Sequence, residues 1–136
     1  MFICRGRTEE RRINKKAQEK NLKNIMFFPY KKGKEYNEVL CSADCLIISL
    51  DKRVVGLGVP SKTYTYLASG RPIIAIIPSN TDIAKDIEKY NLGFVISDYD
   101  VKTLKDNILK LYIDKNMRKL MGENSRKLFE QQYEKI

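Results

Sequence analysis

A parallel β-sheet covered by helices on both faces is the fold this chain predicts, and two features carry that reading. Short apolar runs rich in Ile, Leu and Val alternate with amphipathic stretches along the whole length, the order that produces strand–helix–strand units. One run, Ile73-Ile74-Ala75-Ile76-Ile77, is apolar at every position, as a strand buried on both faces must be. Five strands alternating with helices are expected, with glycine, proline and asparagine at the junctions.

The elements follow in order. Met1 to Cys4 reads as a strand, Arg5-Gly6-Arg7 as a turn, and Thr8 with Glu9 and Glu10 as the capped start of a charged helix, since a hydroxyl and acidic residues both suit free N–H groups. Ile13, Ala17 and Leu22 give that helix a thin apolar stripe, and Asn21 and Asn24 end it. Residues 24–30, Asn-Ile-Met-Phe-Phe-Pro-Tyr, read as a second strand with its exit turn. Lys31 to Lys34 form a basic loop, and Tyr36, Val39 and Leu40 mark the next helix over residues 35–43. The third strand is expected over 44–50, followed by a loop over 51–55.

Residues 56–72 hold the chemistry. Pro60 has a φ suited to a first helical turn, Ser61 can accept from one of that turn's N–H groups, and Gly58 allows close approach of the backbone. Lys62 adds a positive charge where the helix dipole is already positive, an arrangement that a bound phosphate would reconcile. Plain strand–helix punctuation accounts for the same residues, so local chemistry leaves both readings open. Gly70 is placed for a left-handed helix stop before Arg71-Pro72 opens the fourth strand. Pro78 to Asp82 supply a turn and cap, and Ile83, Ala84, Ile87 and Tyr90 define one helix face. Residues 91–97 read as a helix stop and the fifth strand. Residues 101–136 are helical, with stripes of Leu104, Ile108, Leu111, Tyr112 and of Met117, Leu120, Met121, Leu128 separated by a break at 114–116.

Composition narrows the chemistry. A chain of 136 residues suits one domain. It contains no histidine, which excludes Ser-His-Asp, Cys-His and histidine-ligated zinc chemistry, and Cys4, Cys41 and Cys45 suggest neither a disulfide framework nor a metal site. No apolar run approaches the ~20 residues of a membrane span. The net charge of +9 is concentrated in residues 1–37, which carry eleven Lys or Arg against four Glu. Solvated surface with some steering of a phosphate-bearing ligand is the preferred reading. No RNA-recognition or zinc-finger pattern is present, so nucleic acid is not an expected partner.

Val59-Pro60-Ser61-Lys62, followed by Tyr64, Tyr66-Leu67-Ala68-Ser69-Gly70-Arg71-Pro72-Ile73-Ile74, resembles the donor-site segment of GT-B glycosyltransferases of the glycosyltransferase 4 type, among them the enzymes that build bacterial capsule and O-antigen. The likeness covers nearly the whole chain and implies a Rossmann-like half of a GT-B architecture that binds a nucleoside diphosphate sugar. It implies Gly6, the one glycine kept of the family's Gly-x-Gly, at the first strand end, Gly58, Val59, Pro60, Ser61 and Lys62 around the diphosphate and sugar, and Thr65 at the ribose. It also implies Tyr30 beside the base, where covering the core is the equal alternative, and Arg7 next to that strand end either reaches a phosphate or is solvated. Many members carry two glutamates seven residues apart here. Thr65 stands where the second would fall, and no glutamate lies between Glu38 and Glu88.

Set against the family, the chain resembles only the donor domain, and without its opening β-α unit and its closing helix. A lone donor half has no acceptor platform and no means of excluding water, so transfer is expected only with an acceptor domain, for example on a separate chain. Neither cofactor nor metal is expected. The expected setting is the cytoplasm, with peripheral contact at the inner face of the membrane as an alternative, and self-association through the sheet edge left by the absent strand is a further expectation. Two other classes stay open: a non-catalytic nucleotide or phosphosugar-binding module, and a protein that binds polyanions through its basic first third.

Overall fold

The computed structural model describes residues 7–26, 32–49 and 62–132, with the side chains of residues 7–10 and 62 outside that description. The chain divides into two units, Met1–Gly33 and Lys34–Ile136.

In the first unit, helix α1 spans Arg7–Glu19. It therefore begins before Thr8, the expected cap, an offset ordinary for helix ends. Its stop is the expected one. Asn21 adopts φ +54°, the Leu22 N–H donates to the Ala17 carbonyl at 2.9 Å and the Asn21 N–H to the Gln18 carbonyl at 3.1 Å, the paired bonds of a left-handed termination. Residues 24–26 are not strand, a correction to the second expected strand, whose remaining residues 27–30 lie outside the described residues, as does the first strand at 1–4. Met26 is more than half exposed, so no packing holds it extended.

The second unit contains α2 (Gly33–Ser42), β1 (Leu46–Ser49), α3 (Lys62–Ala68), β2 (Ile73–Ile76), α4 (Asp82–Tyr90), β3 (Gly93–Val95), α5 (Val101–Ile113) and α6 (Lys115–Gln132). The strands form a parallel sheet in the order β1-β2-β3, with Leu46 opposite Ile73 and Ile73 opposite Gly93. Because the strands advance one place at a time in the same direction, a constant crossover hand puts both connecting helices on one face. They are found there: α3 and α4 bring Leu67, Ile83, Ala84 and Ile87 against Ile48, Ile73, Ala75 and Ile77. The opposite face, with Ile47, Ile74, Phe94 and Ile96, is covered by Leu104 and Leu111 of α5. Ile73, Ile74 and Ala75 are fully buried, which is the two-sided burial their sequence predicts.

Gly70, the cap over 78–82 and the break at 114–116 behave as expected, and Asp100 adds a cap beyond those expected. Gly70 has φ +70°. The Thr81 hydroxyl accepts from the Ala84 N–H at 3.3 Å, and Asp100 and Asp114 accept from Lys102 and Met117 at the starts of α5 and α6. The stripe expected on α5 needs correction. Leu104, Asn107 and Leu111 face inward, whereas Ile108 is 42% and Tyr112 78% exposed, and on α6 Leu120 is 52% exposed.

Helix α6 serves both layers. Met117 and Met121 belong to the α5 side of the sheet, while Leu128 and Phe129 belong to the α3–α4 side. Between them the helix passes the amino ends of the strands, where Gly122 meets the backbone of Gly70 and Arg71. The Arg126 guanidinium donates to the Ala68 carbonyl at 2.9 Å, and the Asn124 amide to the Asn91 carbonyl at 3.1 Å. α6 thus caps α3 and holds the α4–β3 turn.

Candidate functional site

In a parallel sheet the loops at the carboxyl ends of the strands form the ligand face. Here that end is marked by Ser49, Ile76 to Pro78 and Ile96 to Ser97, and β1 is followed through residues 50–61 by α3. Of the residues expected to contact a donor, Gly6, Tyr30, Gly58, Val59, Pro60 and Ser61 lie outside the described residues. Arg7 is the first residue of α1 and Lys62 the first of α3, both without a described side chain. Thr65 sits on α3, half-buried.

A neighbour that sequence reasoning passed over is more enclosed. Thr63 is 1% exposed, and its hydroxyl has no hydrogen-bond partner among the described residues. A polar residue one position into a helix gives no sequence signal of burial; only the packing of α3 against β1 and α6 reveals it. Arg71 likewise signals in the sequence only the start of a strand. Its Nη2 donates to the Cys41 carbonyl, tying the end of α2 to the start of β2.

The ionisable groups near the sheet are tuned by burial. The Cys45 thiol is pushed up to about 12 by burial, which outweighs the backbone hydrogen bond at Ile74, and the Asp44 charge adds to the rise. The Asp86 carboxyl is raised by burial and by Asp82 one turn earlier, against the pull of Lys89. For Cys45 the folded state disfavours the thiolate, so its contribution is whole below the unfolded-state value of 9.0 and is lost as pH rises toward 12. Urea unfolding at pH 8 and pH 10 should therefore show wild type losing about 1.4 kcal/mol more than Cys45→Ala between the two. Equal losses in both proteins would place Cys45 in water.

With this geometry in place, known proteins supply the deciding comparison. Residues 1–128 match the family of glycosyl transferases group 1. The chain belongs to that family. As a glycosyl transferases group 1 domain, its parallel sheet between two helical layers is a Rossmann-like half of a GT-B glycosyltransferase. A Pseudomonas aeruginosa protein described as probable glycosyltransferase WbjE is 29% identical over 82 residues, 60% of this chain and 20% of the relative. The chain thus aligns with about a fifth of that relative's length. No solved structure matches. Among the described residues no helix is long and apolar enough to cross a membrane.

Proposed function

We propose that this domain is the nucleotide-sugar-binding half of a glycosyltransferase that moves a hexose or acetamido-hexose from a nucleoside diphosphate to a surface-polysaccharide or lipid-linked acceptor. The observation that carries the reading is the β1–α3–β2 unit of a family member: a strand whose carboxyl end leads through residues 50–61 into a helix starting at Lys62, stopped by Gly70 and followed by the most buried strand. In this reading Gly58, Val59, Pro60 and Ser61 seat the diphosphate with their backbone, and Lys62 neutralises charge on it as the glycosidic bond breaks. Thr65 holds the ribose, and the family resemblance assigns roles at the base to Tyr30 and at the phosphates to Gly6 and Arg7. An acceptor domain, on this polypeptide or another, completes the cleft and excludes water. The similarity to a probable glycosyltransferase of Pseudomonas aeruginosa supports the transferase reading; a bacterial polysaccharide setting in the cytoplasm, with peripheral contact at the inner face of the membrane as an alternative, is part of the proposal.

Calorimetry with UDP, GDP and ADP tests the reading on the 136-residue chain. One of the three should bind, and Lys62→Ala should weaken it about tenfold, or 1.4 kcal/mol, as expected for a lost charge-assisted contact to phosphate. Unchanged affinity in the variant would remove Lys62 from the site. Absence of binding to all three would remove the donor reading itself.

A further inference from the structure

At the end of the sheet opposite the proposed donor face, a cavity of about 390 Å³ opens between the amino end of β2 and the first half of α6. Five cationic side chains line it: Arg71, Lys115, Arg118, Lys119 and Arg126. Only Asp44 and Glu123 oppose them. The three guanidinium groups are fixed in place largely by carbonyl oxygens. Arg71 donates to Cys41, Arg126 to Ala68 at 2.9 Å, and Arg118 to Leu111 at 2.6 Å and Tyr112 at 2.8 Å. Carbonyls orient a guanidinium without cancelling its charge. Among the described residues, Arg126 alone of the three has a carboxylate partner, Glu130. The Nε of Arg71 is itself buried and has no hydrogen-bond partner among the described residues; being shielded from solvent it faces no ligand in the groove, which would be met by the exposed cationic groups instead. Lys115 and Lys119 are exposed and make no ion pair among the described residues.

We propose that this groove is a second anion site, binding a small phosphate-bearing ligand between Arg71 at the start of β2 and the Lys115–Lys119 flank of α6. The volume lies within the roughly 300–1,000 Å³ of small-molecule sites. Pre-positioned guanidinium groups with adjustable ammonium groups beside them suit phosphate oxygens better than a lone carboxylate. Strands in a parallel sheet all start at the same end, so this groove lies at the end of the sheet opposite Ser49, the carboxyl end of β1, and the inference stands whether or not the donor reading does. A ligand here would bridge α6 to the α3–β2 turn and so stabilise their contact.

Inorganic pyrophosphate titrated into the 136-residue chain, followed by amide NMR, tests the site directly. The Gly70, Arg71 and Gly122 amides should shift, and Lys115→Gln with Lys119→Gln should weaken the response about tenfold while leaving the unliganded melting temperature unchanged. Lys85→Gln with Lys89→Gln, on α4, should have no effect. Vesicles of phosphatidylglycerol in phosphatidylcholine identify the source of the phosphate: lysine-dependent sedimentation with vesicles but no pyrophosphate response assigns the groove to a lipid headgroup, and the reverse to a free phosphate. If neither probe's binding depends on Lys115 and Lys119, the proposal is overturned.

Discussion

Gly93→Ala is expected to destabilise the protein by about 3 kcal/mol or more, because the new methyl group has nowhere to go. Gly93 has φ +159°, and a Cβ there would fall on the Ile73 carbonyl oxygen and lie 2.7 Å from the Ile73 carbonyl carbon. These are backbone atoms of the neighbouring strand, directly opposite in register, and they cannot swing aside as a side-chain end can. Relief requires β3 to move off β2, which strains the bonds on either side, Ile73 N–H to Leu92 at 3.0 Å and Ile96 N–H to Ala75 at 2.8 Å. Gly33→Ala is the control. That glycine has φ +59°, and a Cβ there would meet no atom of the described residues beyond its chain neighbours within 4 Å, so it incurs only the backbone term of about 1 kcal/mol. Urea unfolding of the two variants should rank them in that order, and a Gly93→Ala protein as stable as Gly33→Ala would show that β3 does not pair as described.

For Gly122→Ala the sign of the change is the test. Helix propensity alone predicts a gain of about 1 kcal/mol for replacing a mid-helix glycine by alanine. The tertiary contact predicts the reverse, since the Cβ would collide with the Gly70 carbonyl oxygen and stand 3.2 Å from its carbon. Gly70 is itself held in its left-handed turn by a bond from its N–H to the Leu67 carbonyl at 3.2 Å. A loss of about 2 kcal/mol in urea unfolding is expected, the overpacking penalty less the gain in propensity. Stabilisation by the substitution would mean that α6 does not approach this turn.

What could be read from the residues follows the range of the interaction. Gly70, Thr81 and Asn91 announce helix ends through bonds spanning a few residues, and each behaves as its type predicts. The unbroken apolar character of Ile73 to Ile77 announces two-sided burial. The face of α5 did not announce itself, because apolar residues occupy more of its circumference than the sheet can cover. Asn107 is buried at 7% exposure while Ile108 stays outside, and periodicity cannot choose between such neighbours. Contacts such as Arg126 with Ala68 join residues 58 positions apart, and nothing local encodes them. At the candidate site, the family could be recognised from the Val59 to Ile74 segment, whereas the enclosure of Thr63 depends on elements that meet only after folding.

The position of α6 has a consequence for how the sheet-bearing unit comes apart. A helix anchored by methionines in one apolar layer and by Leu128 in the other cannot detach without wetting both. The two sides of the sheet therefore have no separate melting behaviour, and a cut in the joint at Asp114 would leave two pieces, each lacking what the other needs to stay dry.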